Sequence, residues 1–209
     1  MRYHEAANFL LDLQRYRPKP GTASTADLLS WLDDPQDGPA FVQIAGSNGK
    51  GSTARMTERA LREAGLDVGL YTSPHLDDYR ERVRVNGRPI PERAVVDFVE
   101  AVKPRVNDRA GGNDAPTFFE VLTTLALWHF GREEVDIGVL EVGIGGRYDA
   151  TSVVEPTASA VTSVTLEHTE LLGDTVDEIA RDKAQIVGEG PLVTGASGAA
   201  LDAIVDEVG

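Results

Sequence analysis

The stretch Phe41-Val-Gln-Ile-Ala-Gly46-Ser-Asn-Gly49-Lys50-Gly51-Ser52-Thr53 passes from an apolar run into a glycine-rich loop with one lysine and several hydroxyl residues. The apolar part reads as a strand, and the residues after Lys50 read as a helix. In such a turn small residues let backbone N–H groups face an anion, the helix start favours negative charge, and Lys50 adds a point charge. The loop therefore predicts a cradle for the phosphates of a nucleoside triphosphate, built from Gly46, Asn48, Gly49, Lys50, Gly51 and Ser52. The plain alternative is a glycine-rich turn with an exposed lysine. Gly51 stands where the common phosphate loop has Ser or Thr directly after its lysine.

Working outward, strands and helices alternate. Helical spacing covers Tyr3 to Leu13, and Ser24 or Thr25 is a candidate cap for a helix ending near Trp31. Then come strand Ala40 to Ala45, helix Ser52 to Ala64, strand Asp67 to Tyr71, helix Pro91 to Val102, a polar loop from Arg105 to Ala115, and helix Thr117 to Phe130. Strand Asp136 to Leu140, strand Ala158 to Ser163, helix Thr175 to Val187, strand Pro191 to Thr194 and a helix from Ser197 complete the reading. Asn86-Gly87, between Val83-Arg-Val85 and Arg88-Pro-Ile90, is a hairpin signal. Apolar strands separated by helices predict an α/β fold: a mostly parallel sheet covered by helices on both faces. In such sheets ligands gather beyond the C-terminal strand ends. The phosphate loop and the turns after Tyr71, Leu140 and Ser163 should meet there.

The composition narrows the chemistry. The chain has 209 residues and no cysteine, which excludes disulfides, zinc–thiolate sites and thiol nucleophiles. The formal charge of −14, with only four lysines (Lys19, Lys50, Lys103, Lys183) among the 20 basic residues, suits a heavily hydrated surface such as a halophile's. An acidic field argues against a nucleic-acid partner. No apolar run is long enough to span a bilayer and no secretory leader is evident, so no membrane partner and a cytoplasmic location are expected.

The three remaining turns hold the candidate site residues. In Thr72-Ser73-Pro74-His75-Leu76, Pro74 keeps Ser73 out of the helical region, where its hydroxyl can donate an oxygen to magnesium or simply form a turn. Glu141, at the end of an apolar strand, opens Glu141-Val-Gly-Ile-Gly-Gly-Arg147-Tyr-Asp149-Ala-Thr151. It needs either a hard cation or Arg147 beside it. His168 lies in Thr165-Leu-Glu167-His168-Thr169-Glu170 and could bind a second cation or serve as a hydrogen-bonded loop residue. Lys183 could be a surface lysine paired with Glu178 or Asp182. Thr117-Phe118-Phe119-Glu120 opens an apolar helix whose rings could stack on a flat ligand or pack in the core.

Together these segments resemble the Mur ligase superfamily, and within it the folylpolyglutamate synthase and dihydrofolate synthase branch. That branch reads Gly-Thr-Asn-Gly-Lys-Gly-Ser in the loop, Glu-Val-Gly-x-Gly-Gly-Arg-Leu-Asp-Ala-Thr-Asn after the strand, then Asp-His-Thr and Glu-Lys-Ala-Gly. This chain has Tyr148, Ser152, Glu167, Asp182 and Gln185 at the varying positions. The resemblance implies a P-loop ATP-binding (central) domain with Ser73, Glu141 and His168 as ligands of two magnesium ions. It implies Lys50 and Lys183 as catalytic residues, Lys183 carrying a carbamate, and Phe119 and Glu120 beside the pterin-bearing substrate. The activity implied is ATP-dependent ligation of L-glutamate to dihydropteroate or folate through an acyl phosphate. Members are about twice this long, which implies that a C-terminal domain helping to hold glutamate is absent here and that the fragment alone is inactive. In some halophilic members the ligase is joined to a dihydropteroate synthase. Another Mur-type ligase acting on a cell-wall precursor, or a nucleotide-binding module without ligase chemistry, are the competing readings.

Overall fold

The computed structural model describes residues 1–17, 19–110 and 115–209. Seven strands form one sheet in the order β4-β3-β2-β5-β1-β6-β7. They are β1 (Ala40–Ala45), β2 (Val68–Tyr71), β3 (Val83–Val85), β4 (Arg88–Pro89), β5 (Ile137–Glu141), β6 (Ala158–Val161) and β7 (Leu192–Thr194). The β2-β5-β1-β6-β7 block is parallel, with Ile44 opposite Glu141 and Val42 opposite Ala158. The Asn86-Gly87 turn makes β3 and β4 antiparallel, as its residues predict.

Eight helices flank the sheet among the described residues: α1 (Tyr3–Asp12), α2 (Ala23–Trp31), α3 (Lys50–Glu63), α4 (Glu92–Arg109), α5 (Phe118–Arg132), α6 (Thr169–Leu172), α7 (Val176–Ala184) and α8 (Ala199–Val208). Side chains alternate along β1. Phe41 joins the large core with α1, α2, α4 and α5, Ile44 packs under α3, and Ala45 meets α7 and α8. Helix α5 is the central pillar, with Val121, Leu122, Leu125, Ala126 and Phe130 fully buried. Gly69 and Gly138 leave room for the Phe130 ring on the sheet, since a Cβ there would lie 2.6 Å and 3.2 Å from it.

Two readings are corrected. Helix α4 runs to Arg109 through Pro104, where a loop was expected from Arg105. Proline interrupts one backbone bond, but buried Val106 and the pairing of Arg105 and Arg109 with Asp27 on α2 hold the final turns helical. Residues 111–114 of the expected loop lie outside the described residues. Ser24 and Thr25 do not cap α2, which starts after Thr22 with both of them buried inside it. Among the described residues no helix is long and apolar enough to cross a membrane.

Candidate active site

The phosphate loop is shaped by contacts with the turn after β6. Gly46 has φ +137, and a Cβ there would overlap Thr162 Oγ1 and sit 3.0 Å from the Thr162 amide nitrogen, so only glycine fits. Ser47 N donates to the Ser163 carbonyl at 2.8 Å, Asn48 N to Ser163 Oγ at 3.1 Å, and Thr162 Oγ1 donates to the Asn48 carbonyl at 2.7 Å. Gly49, at φ +88, turns the chain into α3, which Lys50, Gly51 and Ser52 open. Their amides belong to the first turn, where no intrahelical acceptor is available. Lys50 Nζ folds back onto the carbonyls of Gly46 (2.7 Å) and Ser47 (3.3 Å). Burial, followed by the nearby charge of Lys183, holds its ammonium below the usual lysine range, while Glu167, Glu141 and Asp149 pull the other way.

Glu141 ends β5 facing that loop. Its Oε2 accepts from Ser73 N at 2.8 Å, and both carboxylate oxygens lie 3.3 Å from where a Cβ on Gly51 would be. This clearance gives the glycine after the lysine a physical reason: a side chain at residue 51 would push into the carboxylate. Burial pushes the Glu141 carboxyl up, against the Ser73 amide and the Lys50 charge. Arg147 does not pair with it; the guanidinium lies over the Tyr148 ring. A cavity of about 210 Å³ opens beside Glu141, lined also by Gly51, Arg55, Thr72, Ser73 and Glu81. Glu141 and Ser73 together offer the hard oxygens that a magnesium ion needs, leaving the rest of its shell to phosphate and water.

His168 is placed differently from the expectation. It adopts a left-handed backbone (φ 45) at the start of α6, with its side chain exposed and making no hydrogen bond to the described residues. No group of three or more His, Asp or Glu side chains among the described residues is positioned to hold one ion. The fold thus joins Ser73, Glu141, Lys50 and Gly51, and leaves His168 at the rim.

Lys183 is the reverse case, since a lysine pairing with Glu178 or Asp182 was one expectation. It is instead 2% exposed, with Nζ 2.9 Å from Glu167 Oε1. Burial raises the Glu167 carboxyl, but the Lys183 and Ser47 hydrogen bonds outweigh it and hold the group below its ordinary range. Glu167 therefore connects α7 to the phosphate loop, a role its sequence position did not announce. Gln185, the other departure in that segment, ends α7 and donates to Glu207 at 2.9 Å.

A larger cavity of about 430 Å³ lies on the other side of Ser73 and Pro74. Phe119, Glu120, Ile144, Tyr148, Leu171, Leu172 and Arg82 line it. Glu120 is 3% exposed; its Oε2 caps α5 through Thr117 N at 2.7 Å, and its Oε1 has no partner. Asp149, unassigned from sequence, organises the floor. It accepts from the amides of Gly143 and Ile144 (both 3.1 Å) and from Thr151 N (3.0 Å) and Oγ1 (2.6 Å). Burial pushes its carboxyl up and these four donors oppose that shift. An Asp two residues before a Thr in a glycine-rich loop is the sequence signal of such a turn. Sequence reading also missed Arg82 and His75, which meet at 2.8 Å through Arg82 Nε and His75 Nδ1.

A parallel sheet with a glycine-rich phosphate loop and an acid at the next strand end defines a nucleotide-binding α/β domain. The Mur ligase middle domain matches residues 44–192, and the chain belongs to that family. It is 66% identical over 212 residues to the "Probable bifunctional folylpolyglutamate synthase/dihydropteroate synthase" of Halobacterium salinarum, covering all of this chain and 26% of that protein. Its fold is similar to an FPGS–AMPPCP–folate complex (TM-score 0.88, 35% identity, all of this chain and 52% of that one). It is similar also to E. coli FolC in complex with DHPP and ADP (TM-score 0.83, 37% identity, 97% of this chain and 49% of that one). The chain thus spans about a quarter of that haloarchaeal relative and about half of these solved chains.

Proposed function

We propose that the chain is the ATP-binding part of an ATP-dependent ligase that joins L-glutamate to dihydropteroate, to folates already carrying glutamate, or to both. The observation carrying this reading is the pair of cavities meeting at Ser73 and Pro74. One is mixed in character, with Arg55, Thr72, Glu81 and Glu141 in its wall beside Gly51 of the phosphate loop; the other is largely apolar, with an aromatic wall at Phe119. A flat heterocycle fits the second, stacking on Phe119, while the first takes the triphosphate. The folate and nucleotide named in the solved relatives have these chemistries.

In the proposed reaction a carboxylate oxygen of the acid substrate attacks the γ-phosphorus of ATP and ADP leaves, giving an acyl phosphate. The amino nitrogen of glutamate then attacks the acyl carbon, phosphate departs, and the nitrogen loses a proton. Lys50 and the amides of Gly49, Lys50, Gly51 and Ser52 hold the phosphates in line. Magnesium, held by Ser73 and Glu141 with His168 brought in from the rim, would neutralise the charge on the transferring group. A carbamate on Lys183, formed by its amine with carbon dioxide, would replace the Glu167 pair with an anion. A C-terminal domain, proposed from the length of the relatives, would close over the nucleotide and hold glutamate.

Incorporation of labelled glutamate by the complete gene product in high salt, with ATP and either dihydropteroate or tetrahydrofolate, tests the reading. ATP-dependent product with at least one acceptor is expected. Turnover only with muramyl nucleotides, or nucleotide binding with no ligation at all, would replace it with the other Mur-type or the non-catalytic reading.

A further inference from the structure

We propose that Arg82, fixed by His75 and Phe118, is the positioning residue that receives the carboxylate of the acid substrate where the two cavities meet. This rests on the substrate reading above and adds the residue that orients the reacting group. Arg82 is 9% exposed and lines the larger cavity. Its backbone carbonyl accepts from Thr72 N at 2.9 Å, so it lies directly beside the Ser73–Pro74 partition.

The guanidinium is held on two sides. Nε donates to His75 Nδ1 at 2.8 Å, and the carbon of the guanidinium sits 5.3 Å from the Phe118 ring centroid, with His75 edge-on to the same ring. A histidine accepting through Nδ1 is neutral, so the pair keeps a full positive charge. Among the described residues no carboxylate lies within ion-pair distance of Arg82. Glu120 Oε1 and Asp182 Oδ2 line the same cavity without a partner, but neither acid is ion-paired with Arg82; the other acids nearby are committed elsewhere. Glu81 accepts from the amides of Leu76, Asp77 and Asp78, Asp149 is surrounded by four donors, and Glu120 Oε2 caps α5.

Beyond His75 and the Phe118 ring, the guanidinium meets only the buried Tyr71 hydroxyl, a neutral partner, and Arg82 lines the larger cavity, so the cation has a side toward a ligand and no anion beside it among the described residues. A nearly buried cation without an anion is costly. The planar fork of a guanidinium matches a carboxylate in two parallel hydrogen bonds. A ligand seated with its ring on Phe119 and its acid at Arg82 would point that acid across the partition toward the phosphate side. Phe119 and Arg82 then read opposite ends of one molecule: a face for the ring and a charged donor for the acid.

Equilibrium binding of pteroate and of its carboxamide, which shares the ring system and lacks the charge, tests this on the complete enzyme. Wild type should bind pteroate more tightly than the amide. In Arg82→Gln pteroate should weaken roughly 10- to 100-fold, the range of charge-assisted hydrogen bonds, with the amide nearly unchanged. Arg82→Lys keeps the charge but loses the fork, and His75→Phe removes the group that orients it; each should narrow the acid-to-amide ratio. These two variants decide the matter if Arg82→Gln does not fold. Equal weakening of acid and amide, or an unchanged ratio in every folded variant, overturns the assignment while leaving the substrate reading in place. Failure of wild type to bind either compound overturns both.

Discussion

Removing the Lys183 ammonium tests the network beneath the phosphate loop. Lys183→Met keeps most of the packed volume but leaves Glu167 facing an apolar group in place of an amine at 2.9 Å. Breaking a fully buried pair costs about 3–5 kcal/mol. The Glu167 side chain is 26% exposed and retains Ser47, so water recovers part of that and about 2 kcal/mol is expected. For a domain of this size the loss corresponds to a Tm drop of roughly 4–8 °C. Glu167→Leu combined with Lys183→Met removes the orphan and should be more stable than Lys183→Met alone. The fold holds the Glu167 carboxyl below its ordinary value of 4.5, so its stabilisation is present above that pH and is lost as pH falls through the folded value. The penalty of Lys183→Met should therefore shrink in acid, where protonated Glu167 needs no cation. Thermal melts of the two single variants and the double variant at neutral and acidic pH provide the measurement. A single-variant loss below about 0.5 kcal/mol, or a double variant no better than Lys183→Met, would refute the claim that this pair anchors α7 to the loop.

Three shorter predictions concern the loops. Gly51→Ala places a Cβ 3.3 Å from both Glu141 oxygens, so the carboxylate must shift; nucleotide affinity measured with magnesium should fall severalfold while the melting temperature changes little. Gly46→Ala combines the Thr162 overlap with φ +137 and should cost more than about 2 kcal/mol in a urea melt, because backbone strain and steric overlap add. Glu81, whose carboxyl is held down to about 2 by the amides of Asp78, Leu76 and Asp77, orders the segment between Pro74 and Arg82. Its ordinary value is 4.5, so protection of those amides from hydrogen exchange should persist above that pH and vanish as pH falls toward 2. Glu81→Gln should remove that pH dependence.

The parts of the fold legible in the sequence were those governed by local pattern. The strand before Gly46 and the one ending at Glu141 are apolar runs because both faces are covered, and Asn86-Gly87 forms its hairpin from intrinsic turn preference. Their convergence at the phosphate loop follows from parallel topology. Position along the chain could not decide what depended on distant partners. The last turns of α4 persist past Pro104 because Asp27, far away in sequence, pairs with Arg105 and Arg109. Lys183 is buried because the turn after β6 brings Glu167 over it. Nothing local marks Arg82 either: its importance depends on His75, Phe118 and the absence of an ion-pair acid among the described residues.

Buried polar atoms without a partner occur in several parts of the fold, Thr25, Tyr79 and His129 among them, but the larger cavity gathers unmatched charged groups. Asp149 has a full set of donors and Glu81 three amides, so this chain readily satisfies a carboxylate when the group serves only the fold. Yet Glu120 Oε1 lacks a partner and Arg82 lacks an anion, and both line the same cavity. Burying such groups unmatched destabilises a protein by a kcal/mol or more each, and nothing in the surrounding packing recovers it. The loss becomes intelligible if a ligand carrying complementary charge and hydrogen-bond donors fills the cavity. On that reasoning pteroate at a fixed saturating concentration should raise the melting temperature more than the same concentration of its amide at neutral pH. The excess should vanish as the carboxylate protonates and vanish again in Arg82→Gln at neutral pH; an excess that survives either change would separate Arg82 from the acid of the substrate.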